Sequence, residues 1–227
     1  MLQPFGPSLY LVDGPTISFY GIPLETLMAV ARLVDGSVWV WSPVALTDEL
    51  AREIEDIGPV RHLVSPNKIH HLFLGEWTER WPDARVSLPP GLAAKKPELR
   101  ADAELGDDPD PAWAADIDQV VFRGSAFMEE VVFFHRPSMT VIMGDLIERN
   151  PAEQFKGWRS VAMRLGGIVG EHGTTPLDWR LSFLHHGPAC EARDKILEWS
   201  PKRLVIAHGT CVENGATEVV TEALDWI

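Results

Sequence analysis

Short apolar runs separated by glycine, proline and polar residues fill the first half of the chain, a pattern typical of β-strands. The segment LMAVARLVDGSVWVWSP places Asp35-Gly36 between two such runs, and an Asp-Gly pair in that position predicts a hairpin. Further strands are predicted at VRHLVSP, DQVVFRG, EVVFFH, MTVIMGD and KRLVIAHG, with His135 to Ser138 at the tip between two of them. The N-terminal half is therefore predicted to be rich in β-strands, and further strands are predicted in the C-terminal half.

Helices are predicted where apolar residues recur at helical spacing between capping signals. Thr47 is the expected N-cap of a helix over residues 48–57, which has acidic residues in its first turn and is ended by Gly58-Pro59. A second helix is predicted before Pro82. Three more are predicted in the C-terminal third, at EQFKGWRSVAMRLG, EARDKILEWS and GATEVVTEALDWI.

The order of these elements predicts a layered α/β protein with helices outside packed sheets. Residues 88–115, rich in Pro, Ala, Asp and Lys, are predicted to be a long surface excursion with one short helix rather than a linker. The 227 residues are therefore expected to form one domain, 1–227, which is a usual size for an α/β domain. A chain of this length buries roughly 70–75% of its unfolded surface and needs no cross-links.

The charge balance narrows the classes of partner. The chain has 20 Lys+Arg and 33 Asp+Glu, a net charge of −13 at pH 7. Nucleic-acid binding depends on clustered Lys and Arg, and an anionic membrane would repel an acidic protein, so we expect neither partner. No signal peptide and no run of ~18 apolar residues is recognisable. Two cysteines, Cys190 and Cys211, predict no disulfide framework. We expect a reduced, cytoplasmic protein.

Histidine and aspartate residues follow directly after several predicted strands. His70-His71 comes after VRHLVSP, Asp145 after TVIMG, and His208 after LVIA, with Gly209 allowing the backbone to turn away. Open α/β sheets present ligands outside the carboxyl ends of their strands, and converging imidazoles and carboxylates are typical of metal sites. Each residue also has a structural interpretation: a helix-start pair for the two histidines, a turn cap for Asp145, and a buried hydrogen-bonded imidazole for His208.

The order and spacing of these pieces resemble the metallo-β-lactamase-fold superfamily. In that superfamily one strand ends in T-H-x-H-x-D-H, a later strand ends in G-D, and a late strand ends in a G-H-G-like turn. The corresponding pieces here are SPNKIHH, GD at Gly144-Asp145, and AHG ending at Gly209. The runs SPVALT and PNxxHHLF are similar to an uncharacterised branch, a domain of unknown function. The resemblance covers nearly the whole chain and implies a four-layer αββα sandwich.

Departures from the superfamily signature fall on one half of its binuclear metal site. On this register Pro66 and Lys68 stand where the first two histidine ligands would be, and His70 takes the place of the signature's Asp. The segment FRGSAFMEE, around Ala126, has no histidine where a third is expected. The first metal position is therefore expected to be lost. The second position keeps a full potential ligand set: His70, His71, Asp145 and His208.

The resemblance implies a hydrolase that uses one divalent metal on an unidentified small-molecule substrate. Zinc is preferred, with iron or manganese as alternatives. Asp145 and Lys68 are the candidate catalytic residues; Lys68 would hold an anionic group near the ion, with a solvated loop lysine as the alternative. A catalytically inactive scaffold that binds a ligand or partner in the same cleft is the second hypothesis. The sequence has no G-x-S-x-G elbow, Walker loop or G-x-G-x-x-G loop.

Other residues have weaker claims on the site. The His185-His186 pair invites a metal interpretation, but the resemblance assigns it no role. Trp77 is the tryptophan most expected to line a substrate pocket, and neighbouring Glu76 is expected to be an ordinary surface carboxylate. His135 is expected to be structural or exposed to solvent.

Overall fold

The computed structural model describes residues 1–19, 22–150 and 173–227. The strands in these residues are β1 (Gln3–Gly6), β2 (Leu9–Asp13), β3 (Ile17–Phe19), β4 (Ile22–Leu24), β5 (Leu27–Arg32), β6 (Val38–Trp41), β7 (Val60–Val64), β8 (Arg85–Leu88), β9 (Ala103–Glu104), β10 (Ile117–Phe122), β11 (Glu130–His135), β12 (Thr140–Met143) and β13 (Arg203–Ile206). The helices are α1 (Asp48–Ile57), α2 (Leu74–Arg80), α3 (Leu92–Lys95), α4 (Leu177–Leu181), α5 (Gly187–Glu198) and α6 (Ala216–Ala223).

The strands form two main sheets. One has seven strands in the order β1-β2-β5-β6-β7-β8-β9, antiparallel up to β6 and parallel from β6 to β9. The other has four strands in the order β10-β11-β12-β13, with only the β12–β13 pair parallel. A small hairpin of β3 and β4 stands apart from both.

Alternating side chains on the strands bury both faces of each sheet. In β6, Trp39 and Trp41 point into a core between the two sheets, where Trp39 packs edge-on against Phe133 of β11 with ring centroids 5.2 Å apart. The intervening valines of β6 face a second core under α1 and α2. In β11, Phe134 faces a third core under α5 and α6. Three stacked cores separate four layers, so the predicted αββα sandwich is confirmed.

Local signals in the sequence placed several elements correctly. Helix α1 spans the predicted residues, and the Thr47 hydroxyl accepts a hydrogen bond from the Leu50 N–H at 3.2 Å. The Asp35-Gly36 turn joins antiparallel β5 and β6, with Gly36 at φ 85°, a conformation that glycine adopts without strain.

Other expectations need correction or extension. The segment 88–115 contains the predicted short helix, but it also adds β9 to the edge of the large sheet and buries Trp113. Its buried residues are scattered among prolines and aspartates and give no periodic pattern. Helix α5 begins at Gly187, ahead of the predicted EARDKILEWS. The predicted helix EQFKGWRSVAMRLG lies outside the described residues, and a single domain over 1–227 stays a prediction. In the described part of the chain, no helix has the length and apolarity that crossing a membrane requires.

Candidate metal centre

Three strand ends from the two sheets meet at one edge of the sandwich. Strand β12 is followed by Gly144-Asp145 and β13 by Ala207-His208; because these strands are parallel neighbours, with Met143 paired to Ile206, their next residues emerge side by side. His70 comes from the loop after β7 in the other sheet. The edge where parallel strands end is the usual ligand position in α/β proteins.

The side chains of His70, Asp145 and His208 form a compact cluster. His70 Nε2 lies 3.2 Å from Asp145 Oδ2, and His208 Nε2 lies 3.1 Å from Asp145 Oδ1. One ligand atom from each of the three residues lies within 4.8 Å of the others. All three side chains are less than 10% exposed. Asp145 thus stands between two imidazoles, one on each oxygen.

The outer nitrogen of each imidazole is held by a protein oxygen. His208 Nδ1 donates to the backbone carbonyl of Glu25 at 2.7 Å, and because a carbonyl only accepts, this nitrogen carries the proton. His70 Nδ1 lies 2.7 Å from the Ser42 hydroxyl. Both Nε2 atoms are therefore turned towards Asp145. Ligating histidines are commonly oriented by such contacts on their second nitrogen.

The backbone around Ser42 is strained. Ser42, directly after β6, has φ 51°, a left-handed backbone conformation that residues other than glycine adopt at an energetic cost. This conformation accompanies its contact with His70. On the other side, the Ser65 hydroxyl lies 2.9 Å from the His70 carbonyl and 3.0 Å from that of Asn67. Two serines that follow parallel strands thus fix the loop that carries His70.

A second buried carboxylate lies directly behind Asp145. Glu130, fully buried at the start of β11, accepts hydrogen bonds from the backbone N–H groups of Gly144 at 2.7 Å and Asp145 at 2.8 Å. Asn67 Nδ2 lies 2.8 Å from Glu130 Oε2 and 2.7 Å from Asp145 Oδ2, so one amide joins the two acids. Gly144 permits this approach, because a Cβ there would lie 2.9 Å from Glu130 Oε2.

Burial and pairing compete in the electrostatics of the cluster. Burial opposes ionisation of Asp145, but its attraction to His70 and its hydrogen bond with His208 outweigh burial and hold the pKa of Asp145 well below its ordinary value. Burial likewise disfavours charged His208, yet Asp145 raises the pKa of His208 to about 9. For Glu130, burial and then the charge of Asp145 raise the pKa of the carboxyl.

Glu148 is a further buried carboxyl near the cluster. Burial raises the pKa of Glu148 to about 7, with the nearby charge of His208 acting against that rise. Asn150 Nδ2 donates to Glu148 Oε2 at 3.2 Å, and the Glu148 backbone forms a bridge with Thr174. A carboxyl with this pKa changes its protonation near neutral pH, a property that is common at functional sites.

Two other predicted site residues lie elsewhere. His71 does not join the cluster of His70, Asp145 and His208. Partial burial and then the nearby charge of Lys96 lower the pKa of the His71 imidazole. The His71 side chain is therefore close to the end of α3. The Lys68 ammonium lies beside Gly91, before α3, at 3.4 Å from where a Cβ on that glycine would be.

The remaining candidates take structural positions. Trp77, a residue of α2, is completely buried in the core below that helix and donates its indole N–H to the Val44 carbonyl at 2.7 Å, so the expectation that it lines a pocket is wrong. Glu76 accepts from the Leu46 N–H at 2.9 Å. His185 and His186 are exposed before α5, where His186 contacts the ring of Trp226.

The cluster fits a divalent metal ion. Two imidazole nitrogens and one carboxylate are a donor set that suits Zn²⁺, Fe²⁺ or Mn²⁺. The three side chains converge on a buried position, and the contacts of Ser42 and the Glu25 carbonyl orient both imidazoles before any ion arrives. The residues present therefore match the group that the fold implies.

Comparison with known proteins agrees with this architecture. A family profile described as "Domain of unknown function (DUF4336)" matches residues 17–157, which is more than half of the chain. The chain belongs to this family. The matched region of the DUF4336 family includes His70, Asn67, Glu130 and Asp145, whereas His208 lies beyond it. A search of curated proteins finds no match.

Solved structures show the fold of this DUF4336 member directly. A metallo-β-lactamase from Pontibacter korlensis is 13% identical, with TM-score 0.66, and the match covers 100% of this chain and 97% of that one. One from Hirschia baltica is 11% identical, with TM-score 0.67 and coverage of 100% and 96%. FIM-1 from Pseudomonas aeruginosa, in its mono-zinc form, is 10% identical, with TM-score 0.63 and coverage of 99% and 94%. The chain therefore has the metallo-β-lactamase fold, and the resemblance inferred from its motifs is confirmed.

Sequence reasoning missed several residues that build the site, among them Glu130, Asn67 and Ser42. Glu130 was visible only as an acid at the start of the apolar run EVVFFH, and a carboxylate beginning a buried strand is a usable signal. Asn67 and Ser42 carried no such signal, because an isolated amide or hydroxyl after a strand is common in turns. Their role depends on contacts with residues distant in sequence.

Proposed function

We propose that this protein is a metal-dependent hydrolase that holds one divalent cation with His70, Asp145 and His208. The observation that carries the proposal is the convergence of these three side chains, each less than 10% exposed, with both imidazole Nε2 atoms facing one carboxylate. When bound, such an ion supplies a Lewis acid that polarises a scissile bond or lowers the pKa of water towards ~7. Zinc is the preferred ion, and the mono-zinc form of FIM-1 supports that choice.

The chain's own residues would orient the metal ligands and accept a proton. Ser42 and the Glu25 carbonyl hold the two imidazoles with Nε2 turned towards Asp145, where the cation would bind. Glu148, a carboxyl whose pKa burial raises to about 7, would accept a proton near His208. The substrate we propose is a small molecule, because a net charge of −13 disfavours nucleic acid and anionic membranes. Lys68 stays a prediction as the residue that binds an anionic group of that substrate.

Metal analysis of purified variants tests the ligand set. Wild type, His70→Ala, His208→Ala and His71→Ala are each loaded with Zn²⁺, desalted and measured for bound metal. We expect about one equivalent in the wild type and in His71→Ala, and large losses in the other two. Loss of metal in His71→Ala would instead show that His71 is a fourth ligand, as the sequence predicts. Equal and negligible metal in all four proteins would refute the proposal.

Turnover is tested with esters, lactams, thioesters and phosphodiesters on the zinc-loaded protein. We expect the wild type to hydrolyse at least one of these substrate classes, and we expect Asp145→Ala to abolish that hydrolysis.

A binding scaffold without catalysis is the second candidate. It is favoured by one observation: both Asp145 oxygens already have imidazole partners, so a protonated His208 satisfies the acid without an ion. A wild-type protein that binds no metal and turns over no substrate would favour this candidate.

A further inference from the structure

Two carboxylates lie unusually close together in the interior behind the candidate metal centre. Glu130 is completely buried and Asp145 is 6% exposed, yet both are within 2.8 Å of the same nitrogen, Asn67 Nδ2. Adjacent buried acids repel each other and need a cation or hydrogen-bond donors between them. Here the position between the acids is taken by a neutral amide.

The orientation of that amide is fixed on both sides. Asn67 Oδ1 accepts from the backbone N–H groups of Ile69 at 3.0 Å and His70 at 3.2 Å. The amide oxygen must face these N–H donors and the amide nitrogen must face the carboxylates. The reverse placement would set the amide NH2 against two N–H donors and the amide oxygen against the carboxylate oxygens. Its two N–H bonds are then divided between Glu130 and Asp145. The amide therefore links the loop that carries His70 to the carboxylate between the imidazoles.

Glu130 holds the backbone of the loop that carries Asp145. Its two oxygens accept the backbone N–H groups of Gly144 and Asp145, so it fixes the main chain from which the Asp145 side chain extends. Asn67 then fixes the carboxylate itself through Oδ2. Neither residue is among the three that would contact the cation.

We propose that Asn67 and Glu130 are positioning residues for Asp145, and that the Asn67 amide takes the place of a second cation between the two acids. The centre thereby accepts one ion, on the imidazole side of Asp145. This inference rests on the proposed function, since it concerns the ligand of the proposed metal. It goes beyond that function by naming the residues that hold Asp145 and the group that occupies the position between the two acids.

The decisive experiment counts metal equivalents in Asn67→Asp. This variant keeps the side-chain shape but replaces the bridging amide nitrogen with oxygen, leaving three neighbouring carboxyl groups. Oxygen-rich sites suit Mn²⁺. In calorimetric titrations with Mn²⁺ and Zn²⁺ we expect one equivalent in the wild type and a second, weaker one in Asn67→Asp. We also expect the metal-free variant to melt at a lower temperature than the wild type and to recover with Mn²⁺.

Deleting the amide gives an independent measure. In Asn67→Ala we expect zinc affinity to fall by about 10- to 100-fold, as for other residues that orient a metal ligand. Gln119→Ala is the matched control, because Gln119 is also a buried amide, with partners Trp113 and Gly106 away from the site. The control should lose comparable stability and keep wild-type zinc affinity, which separates positioning from a general loss of packing.

The outcomes distinguish the two proposals. A wild type that binds no metal defeats the proposed function and this inference with it. A wild type that binds one ion, with unchanged affinity in Asn67→Ala, leaves the function standing and overturns the inference. Two equivalents of similar affinity in the wild type would also overturn it, as would a single equivalent in folded Asn67→Asp. If Asn67→Asp does not fold, the affinity of Asn67→Ala relative to Gln119→Ala decides.

Discussion

The two ends of strand β11 bury polar groups in opposite ways. Its first residue, Glu130, lies behind the candidate metal centre, where acids and imidazoles face each other. Its last residue, His135, lies in a completely buried group of a different kind: His135 Nδ1 contacts the Ser138 hydroxyl at 2.7 Å, which donates to Thr140 at 2.7 Å. The centre contains facing charges, whereas the far end contains an imidazole and two hydroxyls.

This difference shows that burial alone does not decide the charge of a histidine, because a charged partner can outweigh it. Burial disfavours the charged form of both His208 and His135. At His208 the hydrogen bond and charge of Asp145 overcome burial and raise the pKa of the imidazole to about 9. At His135 burial prevails over the charge of Asp116 and lowers the pKa of the imidazole to about 4. Neutral His135 also leaves Nε2 without a hydrogen-bond partner among the described residues.

Removing the acid of the centre should have the largest effect. Asp145→Ala leaves His208 buried without its counter-charge, so we expect the free energy of unfolding of the metal-free protein at pH 7 to fall by about 3–5 kcal/mol. Urea denaturation measures the change. Glu55→Ala, which breaks the exposed Arg80–Glu55 pair, should cost less than about 1 kcal/mol. Similar small losses in both variants would mean that the charges of the centre do not stabilise the fold.

Acid should act selectively at the far end of β11. Between pH 6.5 and about 4 the unfolded chain protonates His135 whereas the folded protein does not, so this residue makes the fold less stable as the pH falls through that range. The contribution is about 3 kcal/mol. As the pH falls from 6.5 to 4, the free energy of unfolding should therefore decrease by about 3 kcal/mol less in His135→Gln than in the wild type. Urea denaturation at each pH measures this difference. Parallel pH profiles for the two proteins would contradict the assignment.

The smallest effects should separate the two serines that face histidines. Ser138→Ala leaves a buried His135 N–H without its acceptor, and we expect a loss of about 1–3 kcal/mol in unfolding free energy. Ser42→Ala removes the contact with His70, and we expect zinc affinity to fall by about 10-fold. Each variant is measured by both urea denaturation and zinc titration. A change of zinc affinity in Ser138→Ala, or none in Ser42→Ala, would remove the distinction between the two ends.

Much of the fold was predictable because its signals are local. The Asp35-Gly36 turn and the Thr47 cap depend on residues a few positions apart, and both elements appear where they were predicted. The uninterrupted apolar runs in VWVW and EVVFFH are likewise typical of strands buried on both faces. Strand β9 was not predictable, because its two residues carry no periodicity and join the sheet by pairing with Ser87 and Leu88 of β8.

The candidate site was only partly predictable. His70, Asp145 and His208 each follow a strand, which is a local signal, and the structure brings the three together. His71 has the same signal but lies outside the cluster, because sequence neighbours after a strand point in different directions. Trp77 was wrongly expected in a pocket, since a large aromatic side chain after a site residue has the same pattern whether it faces a cleft or a core.

The amino-acid sequence alone determined the elements, the layered class and the residue types available at the strand ends, since these follow from periodicity and short-range chemistry. The tertiary structure alone decided which of those residues meet, that Asn67 and Glu130 stand behind Asp145, and that two buried histidines have opposite pKa shifts. Several of these properties depend on contacts between residues more than 60 positions apart, as between Asn67 and Glu130 or between Asp145 and His208. The distance in space and the solvent exposure of those groups are set only when the chain folds.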